Sequence, residues 1–590
     1  MIKFFVIPFV PFALFHLFAK REKPLQLFVR YCFAVVFSFC TALLVYLAVS
    51  FFHETGKDLI FKDMRVIAAD FVLATGFCFL SRYFAGYSKG GVQKHPTVLP
   101  VLLVLVNFVS FFLVASVLWY KVRYGVTIRE LLNIALMPLK GTAQDVTSLL
   151  TKAVALSSVL ALTASSLVYA VVWRAKTSPV VEFDFPRKRI AFSAIPCARK
   201  AHVVLTIVLF AYSLFLLNST LDIFGYVRSQ SEETQIYEEY YSDPRTVKIT
   251  PPEKLRNLIY IYLESMETTY ASADAGGTQQ VNYIPHLTEL ARQNVNFSAG
   301  DSLGGAYALN GSTWTMGALF STQAGIPFSF PVNGNSMNNF EYFAKGAVAL
   351  GDILEGFGYN QEFLCGSDGD FAGRKQFFEQ HGGFKVFDLF EARRQGYISA
   401  LYKVWWGFED AILFKIAKDE VLRLAGEGKP FNLTLLTVDT HHVGGYKCSL
   451  CGDEYSENLA NVLVCQDKQV AEFVGWLKAQ EFWDDTLVVI TGDHPRADKI
   501  LVGDAGLLER PVYDCFLNAK KQARQKGRRF ALIDYFPTVL SALGFEIEGD
   551  RLGLGTDLFS DRQTLSEELG LEYLNGELAK RSAFYMATFP

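Results

Sequence analysis

Three apolar runs in the C-terminal half of the chain each end on ionisable side chains. Residues 257–263 (NLIYIYL) lead into Glu264 and Glu267, residues 432–438 (NLTLLTV) into Asp439, His441 and His442, and residues 486–491 (TLVVIT) into Asp493 and His494. Carboxylates mixed with imidazoles, without clustered cysteine, form a donor set for a hard or borderline divalent cation such as manganese, magnesium or zinc. Residues 304–317 (GGAYALNGSTWTMG) place turn glycines and the hydroxyls of Ser312, Thr313 and Thr315 just ahead of an expected helix. A hydroxyl at a helix N-terminus beside a cation loses its proton more readily, and it can attack phosphorus while backbone amides hold the phosphate oxygens. Alone, the segment reads as an N-cap with turn glycines; beside a metal cluster, the nucleophile reading gains ground.

These groups must be positioned by strands. Short β-rich runs alternate with amphipathic stretches, the pattern of an α/β domain with a mostly parallel sheet. Ligands in such sheets sit at the carboxyl ends of the strands, so three segments deliver carboxylates and imidazoles to one edge. One such strand end is easily a solvated loop; three are harder to dismiss.

The 590-residue chain divides by composition. Before residue 220 it is dominated by Leu, Val, Phe and Ala. Six stretches, at 3–19, 31–52, 66–86, 99–120, 149–173 and 201–218, approach or meet the roughly 20 apolar residues that span a bilayer as a helix. The first lacks a clear small-residue cleavage site and reads as an anchor rather than a signal peptide. Basic residues between the fifth and sixth spans (Arg174, Lys176, Arg187, Lys188, Arg189, Arg199, Lys200) and after the first (Lys20, Arg21, Lys23, Arg30) place both loops in the cytoplasm and everything after residue 220 outside. The expected domains are a transmembrane helical bundle at 1–220, a polar linker at 221–252 and an extracytoplasmic α/β catalytic domain at 253–590. A net charge of -3, with no basic cluster interleaved with aromatics, argues against nucleic acid as a partner.

The order of motifs resembles the lipoteichoic acid synthase and phosphoglycerol transferase I group of the alkaline phosphatase/sulfatase superfamily. The resemblance covers roughly residues 255–585. It rests on Tyr262-Leu263-Glu264-Ser265, on Thr313-Trp314-Thr315 through Gln323-Ala324-Gly325-Ile326-Pro327, on Phe371-Ala372-Gly373-Arg374, on Thr437-Val438-Asp439-Thr440-His441-His442, and on Gly492-Asp493-His494. It implies an alkaline-phosphatase/sulfatase-like fold, Glu264, Thr315, Asp493 and His494 as ligands of the catalytic cation, manganese foremost, and Thr315 as nucleophile, with Thr313 and Ser312 as rivals. It further implies that Arg374 and His441 bind the substrate phosphoglycerol, with His442 beside them. The segment Ser312-Thr313-Trp314-Thr315-Met316 follows the phosphoglycerol transferase I branch rather than the Lys-Thr-Ser of lipoteichoic acid synthases.

The implied reaction moves the headgroup of phosphatidylglycerol to a glycan, glycolipid or polyglycerol-phosphate acceptor, at the bacterial inner membrane. A phosphoethanolamine transferase, or a phosphodiesterase or phosphatase on the same scaffold, is the alternative enzyme; a ligand-binding sensor or transporter is the non-enzymatic one. The sulfatase Cys/Ser-x-Pro-x-Arg motif is missing from the 304–317 segment. Of nine cysteines, Cys365, Cys448, Cys451, Cys465 and Cys515 fall in the exported half, where oxidation is permitted. Cys448, Cys451 and Cys465 give part of a zinc-knuckle spacing without a fourth ligand, so a disulfide from the 448–451 turn to Cys465 is expected.

Overall fold

The computed structural model describes residues 98–135 apart from 126, scattered helical positions between 154 and 161, the strands of a hairpin within 180–193, and residues 198–330 and 341–590. The described chain divides into two compact units. One takes in residues up to Trp119 together with 148–219, and the other comprises 120–147 and 220–590.

The first unit contains α1 (Val98–Arg123) up to Trp119, and most of α3 (Ala198–Leu221). These correspond to the expected fourth and sixth spans, and by length and composition both can cross a bilayer. The remaining four expected spans lie outside the described residues, save for the scattered positions at 154–161. Within the unit, Asn107 faces His202 at 2.9 Å and accepts a hydrogen bond from Thr206 at 3.2 Å. Such a polar contact can hold two apolar helices together. The fifth loop, read only for its charge, contains an antiparallel hairpin, Val180–Phe185 against Lys188–Ser193.

The second unit begins with the last turn of α1 and continues into α2 (Ile128–Ala135). Its centre is a seven-stranded sheet: β1 (Asn257–Leu263), β2 (Gly305–Ala306), β3 (Asn360–Cys365), β4 (Lys385–Phe387), β5 (Phe431–Leu436), β6 (Thr486–Gly492) and β7 (Val512–Leu517), ordered β2-β7-β6-β1-β5-β3-β4. The pairs β6-β1, β1-β5, β5-β3 and β3-β4 are parallel, and β7 is antiparallel to both neighbours. Alternate residues of β1 serve two cores. Leu258, Tyr260 and Tyr262 pack with residues of α5 (Thr315–Ala324) and α8 (Tyr535–Leu543), while Ile259, Ile261 and Leu263 pack with α4 (Pro285–Gln293), α6 (Asp410–Gly426) and α7 (Asn458–Lys478). A parallel strand buried on both faces reads as a continuous apolar run for this reason.

The expected linker at 221–252 is folded. It contains helices Ile223–Ser231 and Ile236–Tyr240, buries Tyr237 against Tyr585, and pairs Ile249–Thr250 with Glu546–Ile547. Of its Tyr-rich patch, Tyr237 is core, and Tyr240 and Tyr241 are half-buried against it.

Helix α5 is bolted to the central strand by Tyr262, whose hydroxyl lies 2.7 Å from Thr322 Oγ1 and accepts from Gln323 Nε2 at 2.9 Å. Removing the hydroxyl strands a buried amide, so Tyr262→Phe should lower stability by about 1–3 kcal/mol, read as a reduced thermal midpoint of the catalytic domain in the full chain. On β7, Asp514 accepts from the Phe297 amide at 2.7 Å and from Tyr535 Oη at 3.1 Å, and burial pushes its carboxyl up to about 7. A raised folded pKa means that its stabilising contribution is full below its unfolded value of about 4 and declines as pH rises toward about 7, then stays level. Asp514→Asn should therefore flatten the loss of thermal midpoint across that window.

Candidate active site and metal centre

Strands β1 and β6 are adjacent and parallel, with Leu263 opposite Gly492, so the residues that follow each emerge side by side. The close approach depends on glycine: a Cβ at Gly492 would lie 1.8 Å from the Met266 carbonyl oxygen. Ser265 holds the turn with φ +52°, the left-handed region that costs a non-glycine residue about 1 kcal/mol or more.

Glu264, Asp493 and His494 meet there, nearly fully buried, each offering one ligand atom within 4.8 Å of the others. Asp493 Oδ1 accepts from the amides of Ser265 and His494, both at 2.7 Å, while its Oδ2 is buried without a hydrogen-bond partner, 3.4 Å from His494 Nε2. Glu264 Oε1 accepts from Ser265 Oγ at 2.7 Å and lies 3.6 Å from the same nitrogen. His494 Nδ1 is 2.9 Å from the Pro495 carbonyl. That acceptor fixes the proton on Nδ1 and leaves the Nε2 lone pair facing the carboxylates, as in a histidine metal ligand oriented by its outer hydrogen bond.

The electrostatics point the same way. Burial, and then the charge of Glu264, push Asp493 upward. Burial acts upward on Glu264 too, but His441, His494 and the Ser265 hydroxyl outweigh it and hold that carboxyl below the ordinary range. Burial opposes charge on His494, yet Asp493 and Glu264 raise it. Two buried carboxylates and an imidazole with an orphaned oxygen between them fit a divalent cation, whose charge removes their mutual repulsion.

Thr315 opens α5, and its Oγ1 lies 3.3 Å from both Glu264 Oε2 and His494 Nε2. The other hydroxyls are engaged elsewhere. Ser312 is buried and donates to the Leu309 carbonyl at 2.8 Å, and Thr313 faces Glu130 Oε1 at 3.4 Å.

His441 Nδ1 is 2.6 Å from the His442 carbonyl, and its ring packs 4.4 Å from Trp406 and 4.2 Å from the His442 ring. Burial lowers both imidazoles, with the charge of His441 adding to the effect on His442. Arg374 is buried and spends its donors on its own loop, Nη2 reaching Ser367 Oγ at 3.0 Å and the Asp368 carbonyl at 2.7 Å. It lies 5.5 Å from the Phe371 ring, which in turn packs on Trp406. Two other acids named from the sequence are tied into the scaffold: Glu267 pairs with Arg510 at 3.1 Å, and Asp439 faces the buried Asp410.

Residues 256–545 match the sulfatase family model. They form a domain of the sulfatase family. This stretch, just under half of the chain, is the part that the alkaline phosphatase/sulfatase likeness covers. Over 336 residues, 56% of the chain, the sequence is 30% identical to phosphoglycerol transferase I of Salmonella choleraesuis and 31% identical to the protein of that name from Salmonella paratyphi B, in each case spanning 42% of the relative. The match thus covers less than half the length of these curated relatives. Similar solved structures include a lipoteichoic acid synthase from Listeria monocytogenes (20% identity, TM-score 0.42, 53% of this chain and 79% of that one) and lipooligosaccharide phosphoethanolamine transferase A from Neisseria meningitidis (15% identity, TM-score 0.43, 85% and 95%).

Several members of the site in this sulfatase-family domain escape sequence reasoning. Arg496 is fully buried, pairs with Asp498 at 2.6 Å and donates to the Thr440 carbonyl, tying the His441 loop to the Asp493 loop. Gln466 on α7 reaches Asp410 and Thr437, both at 3.0 Å. Trp406 walls His441. Glu130 of α2 comes from far upstream and carries no motif, whereas Arg496 stands two residues beyond His494 and was open to notice.

If the cluster is a cation site, Asp493→Asn should weaken manganese(II) or zinc(II) binding to the metal-stripped full chain by more than about 100-fold, measured by calorimetry. Unchanged affinity would remove Asp493 from the ligand set.

Proposed function

We propose that this protein is a metal-dependent phosphoglycerol transferase, moving the headgroup of phosphatidylglycerol through a phosphoglycerol-threonine intermediate to a glycan, glycolipid or polyglycerol-phosphate acceptor at the cell envelope. The observation that carries the reading is Thr315 Oγ1, placed at the start of a helix and 3.3 Å from both Glu264 and His494. The phosphoglycerol transferase I relatives point to the same headgroup.

Glu264, Asp493, His494 and the Thr315 oxygen would hold the cation, manganese foremost. When bound, it acidifies the threonine hydroxyl and neutralises charge on phosphoryl oxygens. Thr315 Oγ1 forms a bond to phosphorus as the bond to the diacylglycerol oxygen breaks. The threonine proton ends on that departing oxygen, and His441 is the group assigned to deliver it. Its hydrogen bond to the His442 carbonyl fixes Nδ1 as donor and leaves Nε2 for this work. An acceptor hydroxyl then displaces Thr315, passing its proton back. Amides of the α5 first turn hold the phosphoryl oxygens, and Arg374 and His442 shape the pocket for the glycerol phosphate.

A lipid donor is reached from a membrane anchor. Supporting that reading, the segment that follows α1 pairs with the strand end beyond His494: Gly125 donates to the Ala497 carbonyl at 3.2 Å, and Lys499 to the Arg123 carbonyl at 2.9 Å. The fourth inter-span loop and the catalytic domain then share one face of the bilayer, as the six-span count requires.

The test is a liposome assay with headgroup-labelled phosphatidylglycerol, manganese and a glucan acceptor. Thr315→Ala should lower diacylglycerol release by ~10³-fold or more, while Thr313→Ala should stay within about tenfold of wild type. Release of the label to water despite abundant acceptor would make the protein a phosphodiesterase, and full activity in Thr315→Ala would remove the nucleophile.

A further inference from the structure

The expected disulfide is not formed: Cys448, Cys451 and Cys465 are free thiols in the structure, as are Cys365 and Cys515. Yet the three are gathered. Cys448 Sγ lies 3.5 Å from Cys451 Sγ and 3.8 Å from Cys465 Sγ, and all three sulfurs fall within 4.8 Å of one another. A disulfide requires about 2.05 Å. Zinc–thiolate bonds of about 2.3 Å at a tetrahedral angle put the sulfurs about 3.8 Å apart, and the two observed separations match that edge.

The local structure holds the three sulfurs in place. Cys448 and Cys451 flank a tight turn closed by the Cys451 amide donating to the Cys448 carbonyl at 3.1 Å. Cys465 comes from α7, and Gln469, one turn further on, donates Nε2–H to its sulfur at 3.4 Å. Cys448 and Cys465 are buried, whereas Cys451 is half-exposed and opens the cluster to solvent on one side.

We propose that Cys448, Cys451 and Cys465 form a second metal site, a three-thiolate cradle for zinc(II) whose fourth position is filled from solvent. It is chemically distinct from the carboxylate-imidazole centre, since soft thiolates select zinc over manganese or magnesium. Its place in the fold gives it a task. The 441–451 segment carries His441 and His442 at one end and two of the thiolates at the other, and Asn458 at the start of α7 already donates to the Gly444 carbonyl at 2.8 Å. Zinc there clamps the histidine loop to α7 and holds His441 against Trp406.

Cobalt(II) titration of the metal-stripped, reduced full chain in detergent tests this. The expected result is a thiolate-to-cobalt charge-transfer band in the near ultraviolet that persists in Asp493→Asn and Cys515→Ser and is lost in Cys448→Ser and Cys465→Ser. Because a cysteine variant can misfold, the wild-type chain supplies an independent readout: zinc(II) should slow alkylation of Cys448, Cys451 and Cys465 by about tenfold or more. Absence of both the band and the protection would overturn the proposal. So would recovery of a disulfide-linked Cys448–Cys451 or Cys448–Cys465 peptide from the protein isolated with zinc present.

Discussion

Two carboxylates and an imidazole withdrawn from water within a few ångströms of each other are unfavourable unless something positive joins them. Glu264, Asp493 and His494 are in that position because β1 and β6 run parallel and in register, ending together against a glycine that admits no side chain. The amides of Ser265 and His494 satisfy one oxygen of Asp493 and leave the other bare. Much of the surrounding architecture serves this cluster. The aromatic and polar bolts on Tyr262 fix α5, and α5 brings Thr315 to it. The buried Arg496 ties the loop after β5 to the loop after β6, and the Gln466 network ties that loop to α7.

The carboxyl ends of the strands were legible because buried parallel strands leave a strong signature, a continuous apolar run stopped by charge. Residues 257–263, 432–438 and 486–491 fall on β1, β5 and β6 to within two residues. The cluster itself was legible for the same reason, since strand ends in one sheet converge. What sequence could not separate was role. Glu267 follows the same strand as Glu264, and Asp439 the same strand as His441, yet one meets Arg510 and the other Asp410. The direction in which a side chain leaves a turn is set by tertiary contacts that no local pattern encodes.

The misreadings have similar causes. Polar, proline-bearing residues at 221–252 look like a linker, but their tyrosines find apolar partners at the far C-terminus, around Tyr585 and Phe589. Cysteine spacing in a domain expected to be exported suggests a disulfide, whereas the structure holds three sulfurs at separations suited to a shared ion. Glu130 reaches Thr313 from a helix that precedes the catalytic domain by more than a hundred residues. Such a contact is invisible without the fold.

Transfer by this route requires that Thr315 Oγ1 become covalently bonded to the transferred group. The measurement that tests it most directly is intact and peptide-level mass spectrometry of the full chain, after brief turnover with manganese and phosphatidylglycerol and no acceptor. The expected result is a phosphoglycerol adduct on the peptide carrying Thr315, absent from Thr315→Ala and discharged when acceptor is added. An adduct mapping to Thr313 or Ser312, or turnover that proceeds in Thr315→Ala with no adduct at any time, would contradict it.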